Sequence, residues 1–243
     1  MLKHISKEDI KLAKEFTKKY ILPDKPELVI ITGSRNFGIR ESDFDICIIG
    51  KYSKKFIRKY SEFIALEKYP IEYKGIKFEI QLIDWEYIRN AIKEYNNFKA
   101  WHLKTSHIIF DKNKKFRKIL KRNKVKKEQI KKWVFELYEK AYDNMNNAEK
   151  SKIKKYYTTR MLHLYKSLDA ILKILYLTES KPVPSLKWRI YFLKNLDVGN
   201  NLINEKAYSN ISEEILKSIL KKARKKILKG NVLTEEELHI IEK

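Results

Sequence analysis

The order of apolar and polar residues divides the chain into a first part of mixed helix and strand and a second part made of helices. Ser6-Lys7-Glu8-Asp9 has the spacing of a capping box, and Ile10, Ala13, Phe16 and Tyr20 follow on one side of a predicted helix that Pro23 and Pro26 break. Glu27–Thr32 is a short apolar run of strand type ended by Gly33. After the loop SRNFGIRES, Asp43–Ile49 predicts a second strand. Ser53 opens a predicted helix bearing Phe56, Tyr60, Phe63 and Ile64. Ile76–Ile83 alternates strictly, with Ile76, Phe78, Ile80 and Leu82 on one face and Lys77, Glu79, Gln81 and Ile83 on the other. Asp84 is placed to cap a helix starting at Trp85, and Ser106–Phe110 predicts a last strand.

Beyond Asp111 the period turns helical. Val134, Leu137, Tyr138, Ala141, Tyr142 and Met145 form one stripe. Tyr157, Met161, Leu164, Leu168, Ile171 and Leu175 form another, and Leu162, Ile174 and Leu177 make that helix apolar nearly all round, which predicts the central helix of a bundle. Pro182 and Pro184 mark a loop, with further helices expected near 185–195, 212–229 and 234–242. The expected architecture is α+β: a mixed-sheet domain over residues 1–115, then an all-α helical bundle over 116–243.

Composition narrows the classes of function. A single cysteine, Cys47, excludes an internal disulfide framework, and the five histidines have no metal-ligand spacing. No stretch is long and apolar enough for a membrane span, and Met1–Phe16 lacks the apolar run of a secretory signal, so a cytoplasmic location without a membrane partner is expected. The net charge of +23 is uneven: residues 1–110 carry +6 and residues 111–243 carry +17. Lys112–Lys132 holds twelve Lys/Arg against the single Glu128, and Lys217–Lys229 holds seven with no acid. Such runs attract polyanions, RNA above all, although 45 Lys against 9 Arg also fits a solvated face.

The chemistry concentrates in Ile31–Ile48. A strand ending at Gly33 lets a ligand approach the backbone, and Ser34 offers a hydroxyl and an N–H; a short helix starting there would bind an anion such as a triphosphate. Ten residues after Gly33, Asp43 and Asp45 stand at i and i+2 of the next strand, so both carboxylates face one side. Two adjacent carboxylates beside a phosphate cradle suit Mg²⁺, with Mn²⁺ as a substitute. Cys47 shares their parity but lies deeper in the apolar strand and is assigned to packing. Arg35 has two readings, phosphate contact or internal ion pair, of which phosphate is preferred.

Gly33-Ser34 followed by Ser42-Asp43-Phe44-Asp45-Ile46 resembles the signature of the DNA polymerase β-type nucleotidyltransferase superfamily. The fuller match GSRNFGIRESDFDI, with Arg35 and Gly38, resembles its small prokaryotic branch of aminoglycoside nucleotidyltransferases and minimal adenylyltransferases. The resemblance implies transfer of a nucleoside monophosphate, AMP above all, from Mg²⁺-bound NTP (ATP) to an acceptor hydroxyl on a small molecule, protein or RNA. It implies that Gly33, Ser34 and Arg35 meet the nucleotide and that Asp43 and Asp45 hold metal. A third carboxylate, for which Glu79 is the best match 34 residues after Asp45, would act as metal ligand or base. Glu72 and Asp84 are the other candidates, but Glu72 precedes the Lys74-Gly75 turn and Asp84 reads as a cap. Pro184-Ser185-Leu186-Lys187-Trp188 resembles the bundle of the aminoglycoside-type members less specifically, and Lys187 and Trp188 are read as bundle core or rim. The alternative is a non-catalytic RNA-binding protein that reuses this fold with its basic carboxy-terminal half as the working surface.

Overall fold

The structure, a computed structural model, describes residues 5–39, 42–49, 71–122, 125–186, 188–189 and 211–242. The expected helix after Ser53, Lys187 and most of the expected helix at 185–195 lie outside them.

Ser6 starts α1 (Lys7–Phe16): its hydroxyl accepts from the Asp9 amide at 3.0 Å and donates to the Asp9 carboxylate at 2.8 Å. Five strands follow, β1 (Leu28–Thr32), β2 (Phe44–Ile49), β3 (Ile71–Tyr73), β4 (Ile76–Ile83) and β5 (His107–Asp111), in the spatial order β3-β4-β2-β1-β5. β2 and β4 pair in parallel and the other neighbours are antiparallel, so the sheet is mixed, as expected. β3 has no counterpart among the predicted elements. Its hairpin to β4 turns on Lys74 and Gly75, both left-handed at φ 52° and 74°, the conformation that suits two-residue hairpins.

Strand alternation sorts the core. Val29, Ile31, Phe44, Ile46, Ile48 and Phe78 pack on one side with Ala13 and Phe16 of α1. Phe16 stacks on Phe78 at 4.0 Å between ring centroids, and Phe78 stacks on Phe44 at 4.6 Å. Leu28, Ile30, Cys47 and Ile49 face the opposite way, under α2 (Trp85–Lys93), α3 (Phe98–Thr105) and α4 (Lys115–Arg122). Asp84 caps α2 as expected, accepting from the Tyr87 amide at 2.6 Å.

The chain divides into two compact units, residues 1–93 with 102–124 and residues 94–101 with 125–243. α4 therefore belongs with the sheet, although it lies beyond residue 115. Asp111 accepts from the amides of Phe116 and Arg117 at 3.0 and 3.2 Å, and Phe116, Ile119 and Leu120 pack on the Leu28/Ile30 face. The basic residues of this segment are the outer side of a helix bound to the first unit.

The second unit contains α5 (Lys127–Ile153), α6 (Tyr157–Leu177), α7 (Glu213–Lys229) and α8 (Glu235–Glu242). α6 packs against both α5 and α7. Its all-round apolar character holds from Leu164 to Leu177, where most side chains are buried, but not earlier: Leu162 is exposed. The end of α8 is fixed by Glu242, whose carboxylate accepts from Tyr138 at 2.6 Å and whose carbonyl accepts from Tyr142 at 3.0 Å. Among the described residues, no helix is long and apolar enough to cross a membrane.

Candidate active site

Gly33, Asp43, Asp45 and Glu79, singled out in the sequence, lie near one another on the central strands of the sheet in the first unit. Thr32 at the end of β1 stands opposite Asp45 of β2, and Asp45 stands beside Glu79 of β4. Paired residues on neighbouring strands project to the same face, so Asp45 and Glu79 lie side by side, with Asp43 just before β2. This face is polar only at its end. Cys47 and Gln81 pair in the next row, where the Cys47 thiol lies 3.8 Å from the Thr32 hydroxyl and donates to the Gln81 amide oxygen at 3.6 Å. Burial pushes the Cys47 thiol up to about 12, against the Thr32 contact, and the Asp45 charge adds to the rise. Cys47 is therefore a protonated packing residue at neutral pH. Asp43 and Asp45 are half-buried and Glu79 is exposed.

Gly33 touches the acid directly. Its φ of 69° is left-handed, and a Cβ there would fall 1.6 Å from Asp45 Oδ2 and 2.6 Å from its Cγ. The missing side chain is thus the space that the Asp45 carboxylate occupies. Gly33→Ala is expected to destabilise the protein by about 3 kcal/mol, of which about 1–2 kcal/mol is the left-handed backbone and the rest displacement of Asp45. With Asp45→Ala already present, only the contact to Cβ at 3.1 Å survives, and the added cost should fall toward the backbone part alone. Urea titration of the four proteins in this cycle measures the coupling; strictly additive costs would contradict the contact.

Ser34 opens only a three-residue 3₁₀ turn, Arg35–Phe37, closed by Gly38 at φ 80°. The helix that would have aimed a row of free N–H groups and a dipole at a phosphate is not built here. Arg35 is 5% exposed, and its guanidinium is engaged inside the unit. Nε and Nη2 donate to Asp9 Oδ1, each at 3.0 Å, Nη1 donates to the Ser42 carbonyl at 2.6 Å, and the group lies 4.4 Å from the centre of the Phe44 ring. It extends the aromatic stack of Phe16, Phe78 and Phe44 and ties the Arg35 turn and the Ser42 carbonyl to α1. Of the two readings of Arg35, the internal ion pair is the one formed. Arg35→Met should cost about 3–5 kcal/mol, because it leaves a buried carboxylate without its partner, and adding Asp9→Asn should recover part of that. A variant of unchanged stability with weakened nucleotide binding would instead restore the phosphate role; urea midpoints decide.

Asp9 and Asn36 were not among the predicted site residues. Asn36 is buried and donates to the Thr105 carbonyl at 2.5 Å, which anchors the turn on its other side. The capping spacing places Asp9 in the first turn of α1, but nothing local points it toward Arg35, 26 residues later. Glu72 is exposed on β3, two strands from β2, and Asp84 is occupied as a cap.

Among the described residues, no group of three or more His, Cys, Asp or Glu side chains could hold a metal ion. The carboxylates near one another here are those of Asp43 and Asp45, with Glu79 in register with Asp45.

No family model and no curated protein matches the chain. It is similar to a solved nucleotidyltransferase-like protein from Exiguobacterium sibiricum, with a TM-score of 0.47 and 12% identity over 91% of this chain and 77% of that one. Likeness at that level bears on neither family nor activity.

Proposed function

We propose that the protein is a nucleotidyltransferase that moves a nucleoside monophosphate, AMP above all, from an NTP to an acceptor hydroxyl. The observation that carries this reading is the juxtaposition of Gly33 with the Asp45 carboxylate, itself in register with Glu79 at the open end of the sheet. Neighbouring acids of this kind suit a phosphate-bound divalent ion, since such an ion takes one or two carboxylates and fills its shell with phosphate oxygens and water.

In the proposed reaction the acceptor oxygen bonds to the α-phosphorus, the bond from that phosphorus to the oxygen bridging to the β-phosphate breaks, and pyrophosphate leaves. Asp43 and Asp45 would hold Mg²⁺ with the triphosphate, which supplies charge neutralisation at the α-phosphate and the leaving group. Gly33 and the Ser34 hydroxyl and N–H would meet the β- and γ-phosphates. Glu79 would take the acceptor proton or complete the ion's shell. Arg35 ties Ser42 to α1 and is not assigned to the nucleotide.

Incubating the purified protein with each α-³²P-labelled NTP and Mg²⁺, together with total RNA, cell protein or an aminoglycoside panel, tests the reading. The expected result is label in one acceptor class and stoichiometric pyrophosphate. Absence of pyrophosphate release with every NTP and acceptor, under Mg²⁺ and under Mn²⁺, would overturn it.

A further inference from the structure

We propose that the turn between α5 and α6 is a docking site for single-stranded nucleic acid. α5 ends in a Schellman arrangement: the Tyr156 amide reaches back to the Ser151 carbonyl at 2.9 Å, the Lys155 amide reaches the Lys152 carbonyl at 3.1 Å, and Lys155 takes the left-handed position at φ 59°. This fixed turn presents three large side chains to water. Ile153 is 81% exposed, Tyr156 59% and Tyr157 67%. None of the three serves the bundle core, which lies along the Leu164–Leu177 side of α6.

Lysines surround the rings. Lys150, Lys152, Lys154 and Lys155 are all exposed. Among the described residues, Lys150, Lys154 and Lys155 pair with no carboxylate. Beside the turn runs a groove of ≈ 580 Å³ lined by Glu149, Lys152, Ile153, Glu213, Glu214 and Lys217. All three of its acids have partners: Lys217 holds Glu149 at 2.8 Å, Arg160 and Lys152 hold Glu213 at 2.9 and 3.7 Å, and the Ser212 hydroxyl donates to Glu214 at 3.0 Å. Adjacent exposed rings, with point charges beside them to track a backbone, are the features by which proteins bind single strands without reading sequence.

The groove separates this ligand from a membrane surface. A flat bilayer has nothing to place in it. A splayed base fits such a space and brings amino groups that carboxylates accept. Charge density alone favours α4 instead, where Lys115, Arg117, Lys118, Lys121 and Arg122 are exposed. The apolar side chains of α4 face the sheet, however, so that helix offers charge without a stacking surface. The site does not depend on the proposed transfer reaction.

The test uses the full chain and a fluorescein-labelled 12-nucleotide RNA of mixed sequence, the DNA of the same sequence and the corresponding duplex, read by anisotropy at low salt. Tyr156→Ala/Tyr157→Ala should weaken single-strand binding at least ~10-fold with an unchanged circular dichroism spectrum and melting temperature. Tyr156→Phe/Tyr157→Phe, which keeps both rings, should stay within about 3-fold of wild type. Lys154→Gln/Lys155→Gln should flatten the log–log salt dependence by about 0.7 for each phosphate that these lysines neutralise. Asp45→Asn should leave binding unchanged, so failure of the catalytic reading and failure of this one are distinguishable. Wild-type binding by the folded double-alanine variant would overturn the site, as would equal losses in the alanine and phenylalanine variants. No binding at low salt, a preference for the duplex, or binding only to phosphatidylserine vesicles would overturn it equally.

Discussion

Asp45→Asn is expected to lower NTP-dependent transfer by at least ~10³-fold while leaving the fold intact. The amide has nearly the shape of the carboxylate, so its fit against Gly33 survives, and the Asp45 position at the end of the β1–β2 ladder is unchanged. What disappears is one negative charge next to the ion and phosphates. Two unit charges 4 Å apart are worth about 4 kcal/mol at an effective permittivity of 20, and each 1.4 kcal/mol off or onto a barrier is tenfold in rate. Pyrophosphate release by wild type and variant, with urea midpoints for both, measures the two halves of the expectation. Activity within a few-fold of wild type would remove the ion from Asp45 and with it the proposed transfer.

The part of this site that was legible from the sequence is the part built on strands. Strict alternation over Ile76–Ile83 assigns Glu79 to the face away from Phe78 and Ile80, and the parallel register then sets it beside Asp45. Gly33 was legible as a place of close approach, though the group that approaches is the protein's own Asp45. The internal pairing of Arg35 was not legible because its partner is remote: an arginine next to Gly-Ser looks available to phosphate, and only the folded chain brings Asp9 and the Phe44 ring to it. β3 was missed because three residues of mixed polarity carry no period, and the hairpin turn that defines it reads as an ordinary Lys-Gly turn. The boundary expected at residue 115 falls at the start of α4, whose Phe116, Ile119 and Leu120 recur at three and four residues and pack on the sheet. There the apolar spacing, and not the lysines, reported where the helix packs.

Glu79→Gln distinguishes the two roles left open for the third acid. A general base at Glu79 predicts that the variant still binds Mg²⁺–NTP, because Asp43, Asp45 and the phosphates keep most of the coordination. Transfer would then fall by roughly 10²–10⁴, the usual worth of a positioned base, and the residual rate would rise toward high pH, where the acceptor hydroxyl ionises unaided. A metal ligand at Glu79 predicts a different pattern: the variant would need much more Mg²⁺ and would recover in part when the ion is raised or replaced by Mn²⁺. Glu79 is exposed where Asp45 is half-buried, so it can reach an acceptor arriving from solvent. This favours the base. Transfer measured across pH at saturating Mg²⁺, and across Mg²⁺ at fixed pH, is therefore expected to show the first pattern. A rate restored by metal would assign Glu79 to the ion. Wild-type curves in both titrations would take Glu79 out of the site and leave Asp43 and Asp45 to hold the nucleotide without a carboxylate base.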